Sequence, residues 1–134
     1  MNYWLVKSEP TTFSFERLVK EKVACWDGIR SYAARNHLRD MKKGDQVLFY
    51  HSGDSKAVVG LATVVKEHYQ DPTTNEEAWV AVDLKAVKPL QKEVPLAAIK
   101  KETKLKNIGL IRIPRLSVMP LTADEFTHLS QMGK

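Results

Sequence analysis

The chain has one cysteine, Cys25, in 134 residues, so no disulfide can form within it, and a structural zinc set would lack its thiolates. Glycine is sparse, six residues with no G-x-G-x-x-G and no Walker pattern, which removes the usual signals for dinucleotide or nucleoside triphosphate binding. The four histidines, His37, His51, His68 and His128, share no ligand spacing. Neither a metal nor another cofactor is expected. No apolar run approaches the roughly 18 residues of a membrane span; the longest, Ala57 to Val65, is broken by Gly60 and Thr63. The start, Met1 to Leu5, lacks a basic segment and a charge follows at Lys7, so neither a signal peptide nor membrane association is expected. With one thiol and no leader, the expected setting is the reducing cytoplasm.

A hydrophobic share of 43% over this length suits one domain spanning residues 1–134 with a core of its own. The net charge is +5, and it is unevenly spread. Lys85 to Arg115 carries nine basic residues and two acidic ones, whereas the flanking segments each sum to −1. Such a concentration attracts phosphate backbones, although a solvated lysine-rich face has the same composition.

Strand and helix signals alternate. Asn2 to Lys7 reads as a strand closed by Ser8, Glu9 and Pro10. Ser14 can cap a helix over Phe15 to Glu21, with Phe13 and Leu18 at staple spacing. The apolar run from Val23 ends in the turn signal Asp27-Gly28, and Cys25 is expected in the core. Ser31 can cap a second helix to about Lys42, with Ala34, Leu38 and Met41 facing inward and Arg35, Arg39 and Lys42 forming a basic stripe. Gln46 to His51 and Ala57 to about Tyr69 should pair as a hairpin bent near Gly60, and Ala78 to Lys88 reads as a strand ended by Pro89. A short helix opening at Pro95, a closing strand over Leu116 to Met119 and a capping box of Thr122 with Glu125 complete the pattern. The result is an α+β fold, a partly open β-barrel with short helices around it.

Three places offer chemistry. Lys7, Ser8 and Glu9 supply the residue types of an activated nucleophile, though the same residues make an ordinary turn at a strand end. Tyr50, His51 and Ser52 end another strand, but neighbours on a strand point to opposite faces, which argues against a histidine–serine pair. Trp26, followed by Asp27, Gly28 and a basic residue, could stack on a planar heterocycle at a pocket mouth. Trp26, like Trp4 and Trp79, could equally be core.

The blocks YWLVKSEP (Tyr3 to Pro10), CWDGIRSYAARNHLRDMKKGD (Cys25 to Asp45), VLFYHS (Val47 to Ser52), VVGLATVV (Val58 to Val65) and RLSVMPL (Arg115 to Leu121) cover nearly the whole chain. In this composite the sequence resembles the EVE domains of the PUA-like superfamily. The resemblance implies a PUA-like pseudobarrel, a relation to the YTH domains that cage N6-methyladenine, and a non-enzymatic reader of a modified base, of the 5-methylcytosine or the N6-methyladenine type, in DNA or RNA. It places Trp26 as a cage wall, Lys7 and Ser8 at the rim, and Tyr50, His51 and Ser52 as the opposite wall. Ile29, Arg30 and Ser31 would close the pocket, and Arg35 and Arg39 would lie near the nucleic-acid backbone. Ser31 and Ala33 depart from the Asn and Gln common at these positions, which would bear on which modification is preferred. An amidohydrolase of the ASCH type using Lys7, Ser8 and Glu9, and a small-metabolite binder, are the alternative readings. A reader without chemistry of its own would also need an effector protein.

Overall fold

A computed structural model describes all residues from Met1 to Lys134. Six strands form one sheet: β1 (Tyr3–Ser8), β2 (Val23–Trp26), β3 (Gln46–His51), β4 (Ala57–Gln70), β5 (Val80–Pro95) and β6 (Val118–Leu121), in the spatial order β2-β5-β4-β3-β1-β6. The β1 and β3 strands run parallel, and every other pairing is antiparallel. The long strands β4 and β5 lose register at four points, and these bulges curl the sheet into a PUA-like pseudobarrel. One bend follows directly from sequence. A Cβ on Gly60 would lie 2.4 Å from the Phe15 ring, so only glycine lets the helix before it pack this close.

Around the sheet lie α1 (Phe15–Glu21), α2 (Tyr32–Asp40), α3 (Leu96–Lys100), α4 (Gly109–Arg112) and α5 (Ala123–Met132). Ser14 and Ser31 cap α1 and α2 by accepting from the backbone N–H groups of Arg17 and Ala34, and Thr122 and Glu125 close a complete capping box on α5. Ala34, Leu38 and Met41 are fully buried, as their spacing requires. The helix α2 stops at Asp40, short of Lys42, because the buried Asp45 carboxylate takes the Lys42 N–H at 2.9 Å. The same carboxylate accepts from Trp4 Nε1 at 2.9 Å and from the Asn2 N–H at 3.1 Å, tying the first strand to the end of α2.

Three expectations need correction. Pro89 does not end its strand: β5 runs on to Pro95, because β2 covers only Val82 to Lys85 and the proline sits beyond it, on the open edge, where no ladder N–H is required. Cys25 is exposed, not core, since alternation along β2 turns Ala24 and Trp26 inward and Val23 and Cys25 outward. The closing strand begins at Val118, two residues later than expected, and the stretch before it holds a 3-10 turn (Thr103–Leu105) and α4, both too short for a periodic signal. No helix is long and apolar enough to cross a membrane.

Candidate functional site

The ends of β1 and β2 open onto a cleft of about 440 Å³ lined by Lys7, Ser8, Glu9, Thr12, Phe13, Arg17, Cys25, Trp26, Asp27 and Ile29. Larger clefts of about 550 Å³ and 490 Å³ lie elsewhere, the first without a single hydrophobic lining residue. Size alone does not pick the site. The β1–β2 cleft sets the Trp26 and Phe13 rings beside charged and polar groups of both signs, the composition expected of a small-ligand site.

The turn after β1 builds one wall. The Glu9 carbonyl accepts from the N–H groups of Thr12 and Phe13 at 2.9 Å, and the Ser8 hydroxyl donates to the Phe13 carbonyl at 2.6 Å. This closes the loop and turns Phe13 toward Trp26, ring against ring at 5.9 Å and nearly perpendicular. Phe49 meets Trp26 edge-on from the core at 5.4 Å, and the Arg17 guanidinium covers Phe13 at 4.8 Å. Trp26 is therefore core and cleft wall at once, with 8% of its surface exposed. Its plane is held by rings on two sides and cannot swing away from a ligand.

The turn after Trp26 is held by a residue outside the cleft. Gly28 adopts φ 78°, a left-handed conformation that glycine tolerates, and its N–H donates to Asp71 Oδ2 at 2.9 Å. Asp71 is fully buried and also accepts from Arg30 Nη1 at 2.9 Å, the Thr73 N–H at 2.7 Å and the Thr73 hydroxyl at 2.6 Å. Burial alone would raise its pKa, but the bonds from Thr73, Arg30 and Gly28 outweigh that and hold the carboxyl well below the usual range.

Of the residues singled out in the sequence, the structure brings Lys7, Ser8, Trp26 and Ile29 together in the cleft. The other residues that the resemblance assigned to the pocket or the backbone lie elsewhere. Tyr50 is buried beneath Lys7, its ring 6.0 Å from Nζ, and burial pushes its phenol pKa up. His51 Nε2 accepts from the Phe15 N–H at 3.0 Å, so the neutral ring caps α1, and burial lowers its pKa. Ser52 donates its N–H to the Ser8 carbonyl at 2.9 Å and props the strand end. The expected opposite wall of Tyr50, His51 and Ser52 is thus supplied instead by Glu9, Thr12, Phe13 and Arg17. Arg30 turns to Asp71 and to the Thr73 hydroxyl, and Ser31 caps α2. Arg35 donates to the Ala78 carbonyl at 2.9 Å and lies over Tyr32, while Arg39 stands exposed on the next turn.

Asp71 and the Phe13 wall were not legible as site residues. Asp71 stands in an Asp-Pro-Thr turn between two strands, and only the fold reveals that its carboxylate is buried against Gly28. Lys7 Nζ donates to the Pro114 carbonyl at 2.6 Å, and desolvation lowers its pKa. Cys25 Sγ lies 3.0 Å from the Tyr69 hydroxyl; burial, together with Asp27 and Asp83, pushes the thiol pKa up. That Cys25 environment disfavours the reactive thiolate.

Lys7, Ser8 and Glu9 do not form a triad. Lys7 reaches Pro114, Ser8 reaches Phe13, and the Glu9 carboxylate lies against Gly53. Nucleophilic activation needs mutual hydrogen bonds, and none links these three.

A family model for the EVE domain matches residues 2–132. The chain belongs to the EVE domain family. Thymocyte nuclear protein 1 of Mus musculus is 39% identical, with 96% of this chain and 72% of the relative aligned; the Homo sapiens protein is 36% identical over 93% and 71%. A crystal structure of human THYN1 in complex with DNA containing 5-methylcytosine superposes on this EVE domain with a TM-score of 0.91 at 34% identity, covering 100% of this chain and 98% of the other. An Agrobacterium tumefaciens protein gives a TM-score of 0.96 at 39% identity, covering 99% and 93%. An ASCH protein from Zymomonas mobilis, at 14% identity and a TM-score of 0.61, shares the fold with this EVE domain. The cytoplasmic expectation is overturned by the Mus musculus and Homo sapiens relatives, which are named as nuclear proteins. A lone thiol cannot separate cytosol from nucleus, because both are reducing.

Proposed function

We propose that residues 1–134 act as one EVE domain that reads a modified base, of the 5-methylcytosine type, in DNA and catalyses no reaction. The observation that carries this is the fixed Trp26 wall facing Glu9, Asp27 and Lys7 in a cleft, in a chain similar to human THYN1 in complex with DNA containing 5-methylcytosine.

The chemistry fits a cytosine. Its exocyclic amine is a donor, and Glu9 and Asp27 are carboxylate acceptors on the cleft wall, whereas thymine offers a carbonyl there. Lys7 spends one N–H on Pro114 and retains donors for the base carbonyl or a phosphate. Ile29 and the Trp26 face give the 5-methyl group an apolar seat, and stacking supplies about 1–3 kcal/mol. A base reaches such a cleft only by leaving its stack. Single-stranded RNA would present the same base edge without a duplex to open, so RNA belongs in the test. A reader of this kind acts through the protein it recruits.

The test is fluorescence anisotropy with matched oligonucleotides carrying cytosine or 5-methylcytosine at one position, on wild type, Trp26→Phe and Trp26→Ala. Wild type and Trp26→Phe should prefer the methylated probe, and Trp26→Ala should bind both equally. Equal binding by the wild type, or undiminished preference in a folded Trp26→Ala protein, contradicts the reading.

A further inference from the structure

Ile113 is 53% exposed and stands in the run Arg112-Ile113-Pro114-Arg115. A single exposed aliphatic residue is ordinary. Its backbone is not. The Ile113 N–H donates to the Gly109 carbonyl at 2.8 Å, and its carbonyl accepts from the Leu116 N–H at 2.9 Å. Residues 113–116 thus form a closed turn, with Pro114 at the second position, where its restricted φ stiffens it. Pro114 in turn accepts from Lys7 Nζ, and the Ser117 carbonyl accepts from the Lys7 N–H at 2.9 Å. The turn is fastened at two points to a residue that lines the base cleft. Leu110 before the turn and Leu116 at its end are buried, so the turn rests on the core. The other half-exposed large apolar residues lie at the N-terminus (Met1) or within helices and strands (Val19, Val23, Tyr32 and Val87).

We propose that Ile113 is a wedge that enters the base stack of duplex DNA at the gap left by the base the cleft takes up, with Arg112 and Arg115 on the flanking phosphates. This rests on the base-reading function proposed above. Extrusion of a base costs stacking on both of its neighbours, and an apolar side chain inserted into the gap restores part of that stacking. The rigid turn suits the task, since little conformational freedom is lost on insertion. The two arginines answer the charge that a wedge must approach. Ile113 also forms the lip of the neighbouring cleft of about 490 Å³, which puts it on the ridge between that cleft and the Lys7 side.

The experiment compares Ile113→Ala with wild type on a 5-methylcytosine duplex carrying 2-aminopurine beside the modified base, and on the single strand. Ile113→Ala should weaken duplex binding about tenfold, roughly 1.4 kcal/mol, with a smaller 2-aminopurine rise. Single-strand affinity and the thermal midpoint should stay unchanged. Val87→Ala, which trims another half-exposed aliphatic residue on β5, should change neither affinity. Equal effects of Ile113→Ala on duplex and single strand, or none on either, overturn the wedge while leaving base reading intact. A wild type with no preference for 5-methylcytosine in any probe overturns base reading and the wedge with it.

Discussion

The cleft and the segment from Lys85 to Arg115 both hold cations, and they are built in opposite ways. In the cleft, Lys7 and Arg17 stand with Glu9 and Asp27, so the charges balance; Lys7 is held by its bond to Pro114, and Trp26 and Arg17 by ring contacts with Phe13. In the Lys85–Arg115 segment nine cations stand exposed, with Glu93 and Glu102 the acidic residues among them. The first arrangement can discriminate, because groups of fixed geometry accept one base edge and leave another unpaired. The second can only attract, because mobile cations meet a phosphate anywhere along a backbone. Affinity and selectivity are therefore separable on this molecule.

The largest effect expected is from Trp26→Ala, which removes the cleft wall and a ring packed on Phe13 and Phe49. It should cost about 3–5 kcal/mol of stability and abolish discrimination, read by urea titration and anisotropy. Binding that remains should be salt-sensitive and blind to methylation.

Asp71→Asn sharpens the comparison by loosening the cleft from behind. It should cost about 2 kcal/mol, discounted because Arg30 is 43% exposed, and weaken discrimination while Trp26 stays in place. Its pH dependence has a definite sign. The folded pKa of Asp71 is depressed, so its contribution is complete above the ordinary aspartate value near 3.9 and fades as the pH falls below it. The difference in urea midpoint between wild type and Asp71→Asn should therefore be constant above about pH 5 and narrow as the pH falls below about 4.

Replacing Lys100, Lys101, Lys104 and Lys106 with glutamine tests the other region. Affinity for methylated and plain DNA should fall together, and the salt slope should shrink by about 0.9 for each duplex phosphate that a lysine no longer neutralises. A change in the ratio between the two probes would break the separation of roles. Arg39→Ala should give the smallest effect, within about 0.5 kcal/mol in stability, since the side chain is solvated on α2. A small, uniform loss of affinity should accompany it.

Local signals in the sequence were strong where chemistry and geometry coincide. Ser14, Ser31 and Thr122 each cap the helix expected of them, since a cap depends on neighbours three residues away. Ala34, Leu38 and Met41 face the core because helical spacing alone decides it. The site was legible only in part. Lys7, Ser8, Trp26 and Ile29 share the cleft, whereas Tyr50, His51 and Ser52, which the resemblance set as the opposite wall, turn to Lys7, Phe15 and Ser8 on other elements. Asp71 lies 43 residues from Gly28, and no local pattern announces a bond at that range. Cys25 was misread because an apolar run of four residues does not show which of its members face inward.

The central claim is that a fixed, charge-balanced cleft confers selectivity while a diffuse basic segment confers attraction. The most direct measurement is the ratio of dissociation constants for cytosine and 5-methylcytosine duplexes at two salt concentrations. The account predicts that both constants rise with salt and that their ratio stays constant and above one. A ratio that collapses to one as salt increases would contradict it, because the preference would then be electrostatic and would not come from the cleft.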